Sequence, residues 1–249
     1  LQKGKLVFLP NEKFECGTTD TPHSHPNPST ARPTILAEET APTIANTQTL
    51  RIYRLAMHIP YSTFSTGHLE KNVQKVKAFW ADTEAFLNEM YLRDLGVRFE
   101  VVKDERLIIK DEDKETFASY RNADYVKDNS TTIINELIGE NSYDVGISLA
   151  YTASLKKGVR GLAYLEGVYK ANTKADAVAV LTKEVIAHEI GHLFGGRHTF
   201  GNYNGSEAYD SEKTEYDRGT SVMSYGSPRD FFSLSSIQRI RERLTKVPV

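Results

Sequence analysis

The sequence predicts an α/β fold, in the wider α+β sense, built from strands that alternate with long helices. Three observations predict it. Apolar and polar residues alternate in short runs from Leu50 onward, apolar residues between those runs recur at spacings of three and four, and glycines end the periodic segments. Residues 1 to 48 carry neither period and are read as a prosegment with a linker, which leaves 49 to 249 as the folded domain. Pro22, Pro26, Pro28, Pro33 and Pro42 punctuate that first part within a Thr-, Ser-, Ala- and Asn-rich stretch, so it is expected to be extended and cleavable.

Leu50, Ile52, Tyr53, Leu55, Met57 and Ile59 read as the first strand of the domain. Leu69, Val73, Val76, Trp80, Thr83, Leu87 and Met90 then share one face of a long amphipathic helix, stopped by Gly96. Strands are expected over residues 97–102 and 106–109, a second helix over about 131–138, and a further strand over 143–149. The stretches 158–165 and 176–181 are the last strand candidates, the first of them suited by its glycines to an irregular sheet edge. An apolar helix over 182–193 follows. Near the end of the chain, Ser233 or Ser235 can cap a final helix through Ile237, Ile240 and Leu244, expected to pack on the helix at 182–193.

Composition narrows the function classes. With 39% hydrophobic residues in 249 and a net charge of −2, the chain has material for one large core or two small ones. Basic residues are interspersed with acidic ones and the pI is near 6.4, which argues against nucleic acid as a partner. No apolar stretch approaches the roughly 18 residues that cross a bilayer. The chain starts at Leu1, so a trimmed product is expected; a monomer is expected as well. Cys16 is the only cysteine and forbids an intrachain disulfide.

The run HEIGHLFGGRH at 188–198 carries the chemistry. On a helix His188 and His192 stand one turn apart on the same face, the spacing that holds a catalytic zinc. Glu189 lies beside the first of them, where a carboxylate can take a proton from water. Gly195 and Gly196 allow the chain to leave the helix and fold back, which can bring His198 round as a third ligand. His58 and His68 have no spaced partner and are read as structural or exposed.

His188, Glu189, His192, Gly195 and His198 match the long zinc signature of the metzincin metalloendopeptidases, and the chain resembles that clan. The resemblance implies Zn2+ held by the three histidines, Glu189 as general base and acid, and hydrolysis of peptide bonds in protein or peptide substrates. It also implies a twisted mixed sheet with an antiparallel edge strand, an active-site helix, and a smaller irregular C-terminal subdomain containing a methionine turn. Met223, in the segment SVMSY, is the matching methionine. Tyr225 follows two residues later, where astacin-like and serralysin-like members carry a tyrosine that reaches the metal or the tetrahedral intermediate. The other role for Tyr225 is a wall of the specificity pocket, because the reprolysin and pappalysin branches do not depend on a tyrosine there. Thr199 and Phe200 look most like the pappalysins and bacterial reprolysin-like enzymes.

The sequence around Cys16 resembles the cysteine switch of matrixin prosegments, with Gly17 following and Asp20 four residues on. The resemblance implies a zymogen kept latent by Cys16 on the zinc, the prosegment acting as an intramolecular inhibitor. Asp20 as the latency ligand and Cys16 as an incidental thiol are the alternatives. Glu15 stands where matrixins carry an arginine, so their arginine to aspartate brace is missing. Between His198 and Met223, the polar loop with Asn202, Asn204, Glu207, Asp210, Glu212, Glu215 and Asp217 is either a solvated acidic loop or a Ca2+ site. A chain without disulfides fits a bacterial enzyme better than the disulfide-stapled animal members, and the resemblance to the clan implies a secreted or cell-surface location, although a disulfide-free chain of this size could equally fold in the cytosol. A different class stays open, a catalytically inactive zinc-bearing module that binds peptides.

Overall fold

The architecture is that of a computed structural model, which describes residues 50–151, 155, 158–203, 205–207 and 211–246. The N-terminal segment 1–48, with Cys16 and Asp20, lies outside them. Five strands form one sheet in the order β2-β1-β3-β5-β4. β1 (Arg51–His58) runs parallel to β2 (Val97–Val101) and to β3 (Val145–Ala150), β3 runs parallel to β5 (Ala177–Val180), and β4 (Gly161–Ala163) closes the edge antiparallel to β5. The mixed sheet with one antiparallel edge strand is the expected fold class.

Helices cover the sheet because its central strands have no solvent face. Every residue of β3 and β5 is buried, the pattern of strands packed on both sides. A single turn, α1 (Tyr61–Phe64), follows β1. The helix α2 (Val73–Leu95) then begins at Asn72, whose side chain accepts the amides of Gln74 and Lys75 at 2.8 and 3.3 Å. It ends at Gly96, which adopts φ 70° with its amide on Leu92 O, a conformation costly for any side chain with a Cβ. Val76, Trp80, Thr83, Leu87, Met90 and Tyr91 are its buried face.

The period of β5 separates two apolar layers. Ala177 and Ala179 face the main core, which α2 and the helix α4 (Lys183–Leu193) share. Val178 faces a second cluster with Leu162, Val126 and Phe117, beneath α3 (Ala123–Ile138). Two small alanines on the α4 side let that helix lie close to the sheet.

Several expected elements shift. Residues 106–109 are not a strand. Asp104 accepts the amide of Arg106 at 2.9 Å and starts a 3-10 turn at Glu105–Leu107, after which only Ile108 bridges to Ile59. The second helix starts eight residues before 131, at Ala123, because Asn122 caps it by accepting from Tyr125 N. The edge strand pairs over three residues only. The last helix, α5 (Leu234–Lys246), has Ser233 at its start accepting from Ser236 N at 3.3 Å. It packs on α2, where Arg241 donates to Asp94 O at 2.8 Å; its Ile240 and Leu244 join the core cluster that α4 also enters, and Arg243 comes near Gly195 just past the end of α4. No helix among the described residues is long and apolar enough to cross a membrane.

His58, at the end of β1, is fully buried between Ser148 Oγ (3.1 Å), Thr116 Oγ1 (3.2 Å) and the Phe117 ring. Burial lowers its pKa to about 3, whereas an exposed imidazole titrates near 6.5. The unfolded chain therefore binds this proton first, and the contribution of His58 to stability is complete above pH 6.5 and is lost as pH falls toward 3. Urea unfolding from pH 7 to pH 5 is expected to show a steeper loss of stability in the wild type than in His58→Gln. Equal slopes in the two proteins would mean that His58 is not held neutral. His68 is exposed beside Tyr151.

Candidate active site

The site is assembled on α4. Lys183 to Leu193 lie against β5 and β4, and Tyr91 of α2 anchors the middle of the helix by donating to Ala187 O at 2.7 Å. Its C-terminal end rests on a cluster of rings, with Phe194 edge-on to Tyr53, Tyr91, Phe99 and Tyr169. Tyr169 also donates to Phe194 O at 3.1 Å.

His188 and His192 are four residues apart on the buried face, and neither is exposed to solvent. After Phe194 the chain reverses through Gly195, at φ 95°, and Gly196, whose amide donates to Gly191 O at 2.9 Å. That reversal returns His198, 2% exposed, to the two helical imidazoles. His192 Nε2 stands 3.1 Å from His188 Nε2 and 3.2 Å from His198 Nε2.

These residues fit a zinc ion. Three nitrogens bound at 2.0–2.1 Å in a tetrahedral arrangement stand about 3.3 Å apart, close to the spacing here. The outer ring nitrogens have fixed partners, since His188 Nδ1 donates to Val222 O and His192 Nδ1 to Gly196 O, each at 2.7 Å. With the proton on Nδ1, the Nε2 lone pair points to the common centre. Burial, with the neighbouring His192 and His198, holds the His188 pKa well below its ordinary value, so the ring is neutral and competent as a ligand. Among the described residues this triad is the one group of His, Cys, Asp or Glu that converges as metal ligands do.

Glu189 is fully buried one residue after His188, and its side chain lies against the backbone of β4 at Gly161. A Cβ on Gly161 would stand 2.6 and 2.7 Å from Glu189 Cδ and Cγ, so only glycine allows the carboxylate this position. The burial of Tyr91 raises its pKa well above the ordinary value, and the Glu189 charge adds to the rise.

Met223 is also fully buried. Its sulfur packs on α4 at Gly191 and on the reversal at Gly196, where an added Cβ would come within 3.1 Å of it at Gly196 and overlap it outright at Gly191. Thr199, next to the third histidine, donates its amide to Met223 O at 3.1 Å. Tyr225 is 8% exposed, with its ring centroid 5.2 Å from that of His198 and 6.0 Å from that of His188, stacked on Phe200 at 4.2 Å.

Glu215 is the acidic residue of the loop between His198 and Met223 that bonds to the frame of the site. Its carboxylate accepts from the hydroxyls of Thr199 and Ser221 and from the amides of Thr220 (2.8 Å) and Ser221 (3.0 Å). Burial pushes its pKa up, but the hydroxyl and amide donors outweigh it and leave the carboxyl below its ordinary value. Glu215 thus ties the His198 loop to the Met223 turn, a role that spacing along the chain does not announce. Glu212 pairs with Arg239 and Glu207 with Lys213, while Asn204 and Asp210 lie outside the described residues. Gly161 was likewise read only as part of a sheet edge.

Residues 80–199, just under half of the chain, match the family model described as reprolysin-like metallopeptidases of family M12B. That match supports a zinc peptidase. No curated protein matches the chain. Among solved structures, one described as a chaperone-substrate complex shares the fold at TM-score 0.52 and 15% identity, over 79% of this chain and 34% of its own. This chain therefore spans about a third of that protein's length. Metalloproteinase-II from Bacteroides fragilis aligns at TM-score 0.41 and 15% identity, over 80% of this chain and 55% of its own. Myroilysin aligns at 0.38 and 10%, over 78% and 82%.

Proposed function

We propose that the chain is a zinc endopeptidase of the metzincin type, made as a zymogen. The observation that supports this most is the convergence of three buried imidazole nitrogens beside Glu189. His188, His192 and His198 would hold zinc, whose Lewis acidity polarises a scissile carbonyl and acidifies water. Glu189 accepts the proton of the attacking water and returns it to the leaving amine. Its place against β4 suits that work, because an extended peptide added to the sheet edge would carry its backbone past the carboxylate. Met223 supports α4 from below, and Gly195 supplies the turn that returns His198 to the site. Tyr225 borders the triad, where its phenol either steadies the developing oxyanion or walls the substrate pocket.

Residues 1–48 serve in this reading as an intramolecular inhibitor, with the Cys16 thiolate as the ligand of the latent form. Protein or peptide substrates, a monomeric state, and action outside the cell or at the surface of a bacterium complete the reading, and these rest on the resemblance to secreted members of the clan.

The test is metal content and peptidase activity of the full chain, before and after limited proteolysis between residues 26 and 46, with Cys16→Ala alongside. We expect one zinc per chain, hydrolysis that a chelator removes and zinc restores, and latency relieved by either cleavage or the substitution. Full activity before cleavage would remove the switch and leave the peptidase standing. Zinc without hydrolysis in any form would favour the peptide-binding module.

A further inference from the structure

A cleft of about 430 Å³ opens beside the first half of β1, and none of the three site histidines lines it. Its size suits a few residues of peptide. Leu50, where the described chain begins, stands on this cleft together with Ile52, and the two leave 49% and 50% of their surface exposed. Val168, Tyr53 and Tyr169 continue the apolar part of the lining.

The cleft exists because β1 is paired on one side only at this end. Arg51 to Leu55 are in register with Val97 to Val101 of β2, whereas β3 begins at Val145, opposite Leu55. The backbone groups of successive residues face the two neighbouring strands in turn. Arg51 N bonds to Gly96 O and Leu55 O accepts from Val102 N, both on the β2 side, while Arg54 O accepts from Asp144 N on the β3 side. Ile52, two residues before Arg54, therefore turns its N–H and C=O toward the cleft, beyond the start of β3. That is an open edge to which an extended segment can add a strand.

The lining is basic on balance. Arg51, Arg54 and Lys174 stand against Glu140 and Asp144, and Arg54 takes up Asp144 with bonds of 2.8 and 3.0 Å. Lys174 is 9% exposed and donates to Glu140 O at 2.5 Å and to Tyr143 O at 2.8 Å, which leaves the third N–H of its ammonium for a further acceptor.

We infer that residues 34–41 of this chain, which lie outside the described residues, dock in the cleft as an extra strand beside Ile52, with Glu38 or Glu39 on Lys174. Pro33 and Pro42 bound this stretch, and every residue between them has the N–H that a ladder needs. Glu38 and Glu39 are the only acidic residues between Asp20 and Leu50. In an extended strand Ile35, Ala37 and Glu39 share one face, and Leu36 and Glu38 the other. Whichever face turns inward thus carries one large apolar residue and one carboxylate. Residues 42–49 can span up to about 26 Å, enough for the chain to turn back antiparallel to β1. Docking here needs neither zinc nor hydrolysis, so it goes beyond the peptidase reading and anchors the N-terminal part of the chain whether or not the histidine site cleaves peptides.

Hydrogen exchange of the full chain, followed by mass spectrometry, tests this. Amides of 34–41 should exchange at least about tenfold more slowly than those of 22–32 and 43–49, the slowing given by a segment docked about nine-tenths of the time. Ile35→Asp with Leu36→Asp should erase that difference. Ile52→Asp should erase it from the cleft side, at a half-exposed position that tolerates a polar residue, while exchange in β3 stays as in wild type. In the Ile35→Asp, Leu36→Asp chain the emptied cleft should bind a synthetic peptide of residues 33–42, and Lys174→Met should weaken that binding at least about tenfold. Should Lys174→Met fail to fold, the peptide with Glu38→Gln and Glu39→Gln replaces it, and binding unchanged by loss of both carboxylates overturns the pairing with Lys174. Exchange in 34–41 as fast as in its flanks overturns the inference. Slow exchange that survives Ile52→Asp places the segment elsewhere and overturns it as well. Slowing at Ile52 that grows with chain concentration, with a doubled mass in solution, gives the cleft to a second copy and overturns it too.

Discussion

Glu189→Gln is expected to lower peptide hydrolysis by about 10²–10⁴-fold, the range that general acid–base catalysis supplies, while the bound zinc stays at one per chain. The substitution keeps the length and planar end of the side chain and removes its ability to take up a proton. The side chain is fully buried against Gly161, so an isosteric amide fits the same space with little rearrangement. The metal ligands should be insensitive to it, because the outer nitrogens of His188 and His192 are held by the carbonyls of Val222 and Gly196 and not by this carboxylate. Activity measured together with zinc content on the same nicked sample decides the matter. Loss of zinc along with activity would make Glu189 a support of the metal, and retained activity would move the base elsewhere.

Gly161→Ala is expected to cost about 10²-fold in kcat with zinc content and thermal unfolding close to wild type. The new methyl group overlaps the Glu189 carboxylate and leaves no room for its Cδ and Cγ, which would be 2.6 and 2.7 Å away. What must move is the end of a flexible side chain, not backbone, so the fold accommodates the change. The carboxylate does not keep its position, and a displacement of about 1 Å at a reacting group is enough for a loss of that size. Full activity in Gly161→Ala would show that Glu189 works from another rotamer. An unfolded variant would show that β4 itself cannot carry a Cβ at this position.

The elements that were legible in the sequence are those fixed by neighbours along the chain. Gly96 ends α2 because a left-handed residue acts within one turn of the helix it bounds, whereas the start at Asn72 was not read and the helix was expected to include Leu69. The apolar run of β1 was readable as a strand, but its alternation was not the burial pattern, since Leu55 to His58 are buried on both faces and Ile52 is half exposed. Where a polar side chain bonds locally, the period misleads. Residues 106–109 have strand composition, yet Asp104 captures the amide of Arg106 and turns the chain into a 3-10 segment. The first half of α3 was missed because Asp124, Lys127, Asp128 and Asn129 place many polar residues around a narrow buried stripe of Ala123, Val126 and Ser130.

The sequence by itself determined the one-turn spacing of His188 and His192, the carboxylate at 189 and the glycines at which α4 ends, because a helix converts fixed spacing directly into geometry. Tertiary structure alone decided which distant residues complete the site. Gly161 gives room to Glu189 from 28 positions upstream, Val222 orients His188 from 34 positions downstream, and Glu215 joins the His198 loop to the Met223 turn. Such contacts join residues whose separation along the chain follows no period, and only the packing of the sheet edge, α4 and the loops after it brings them within reach of one another.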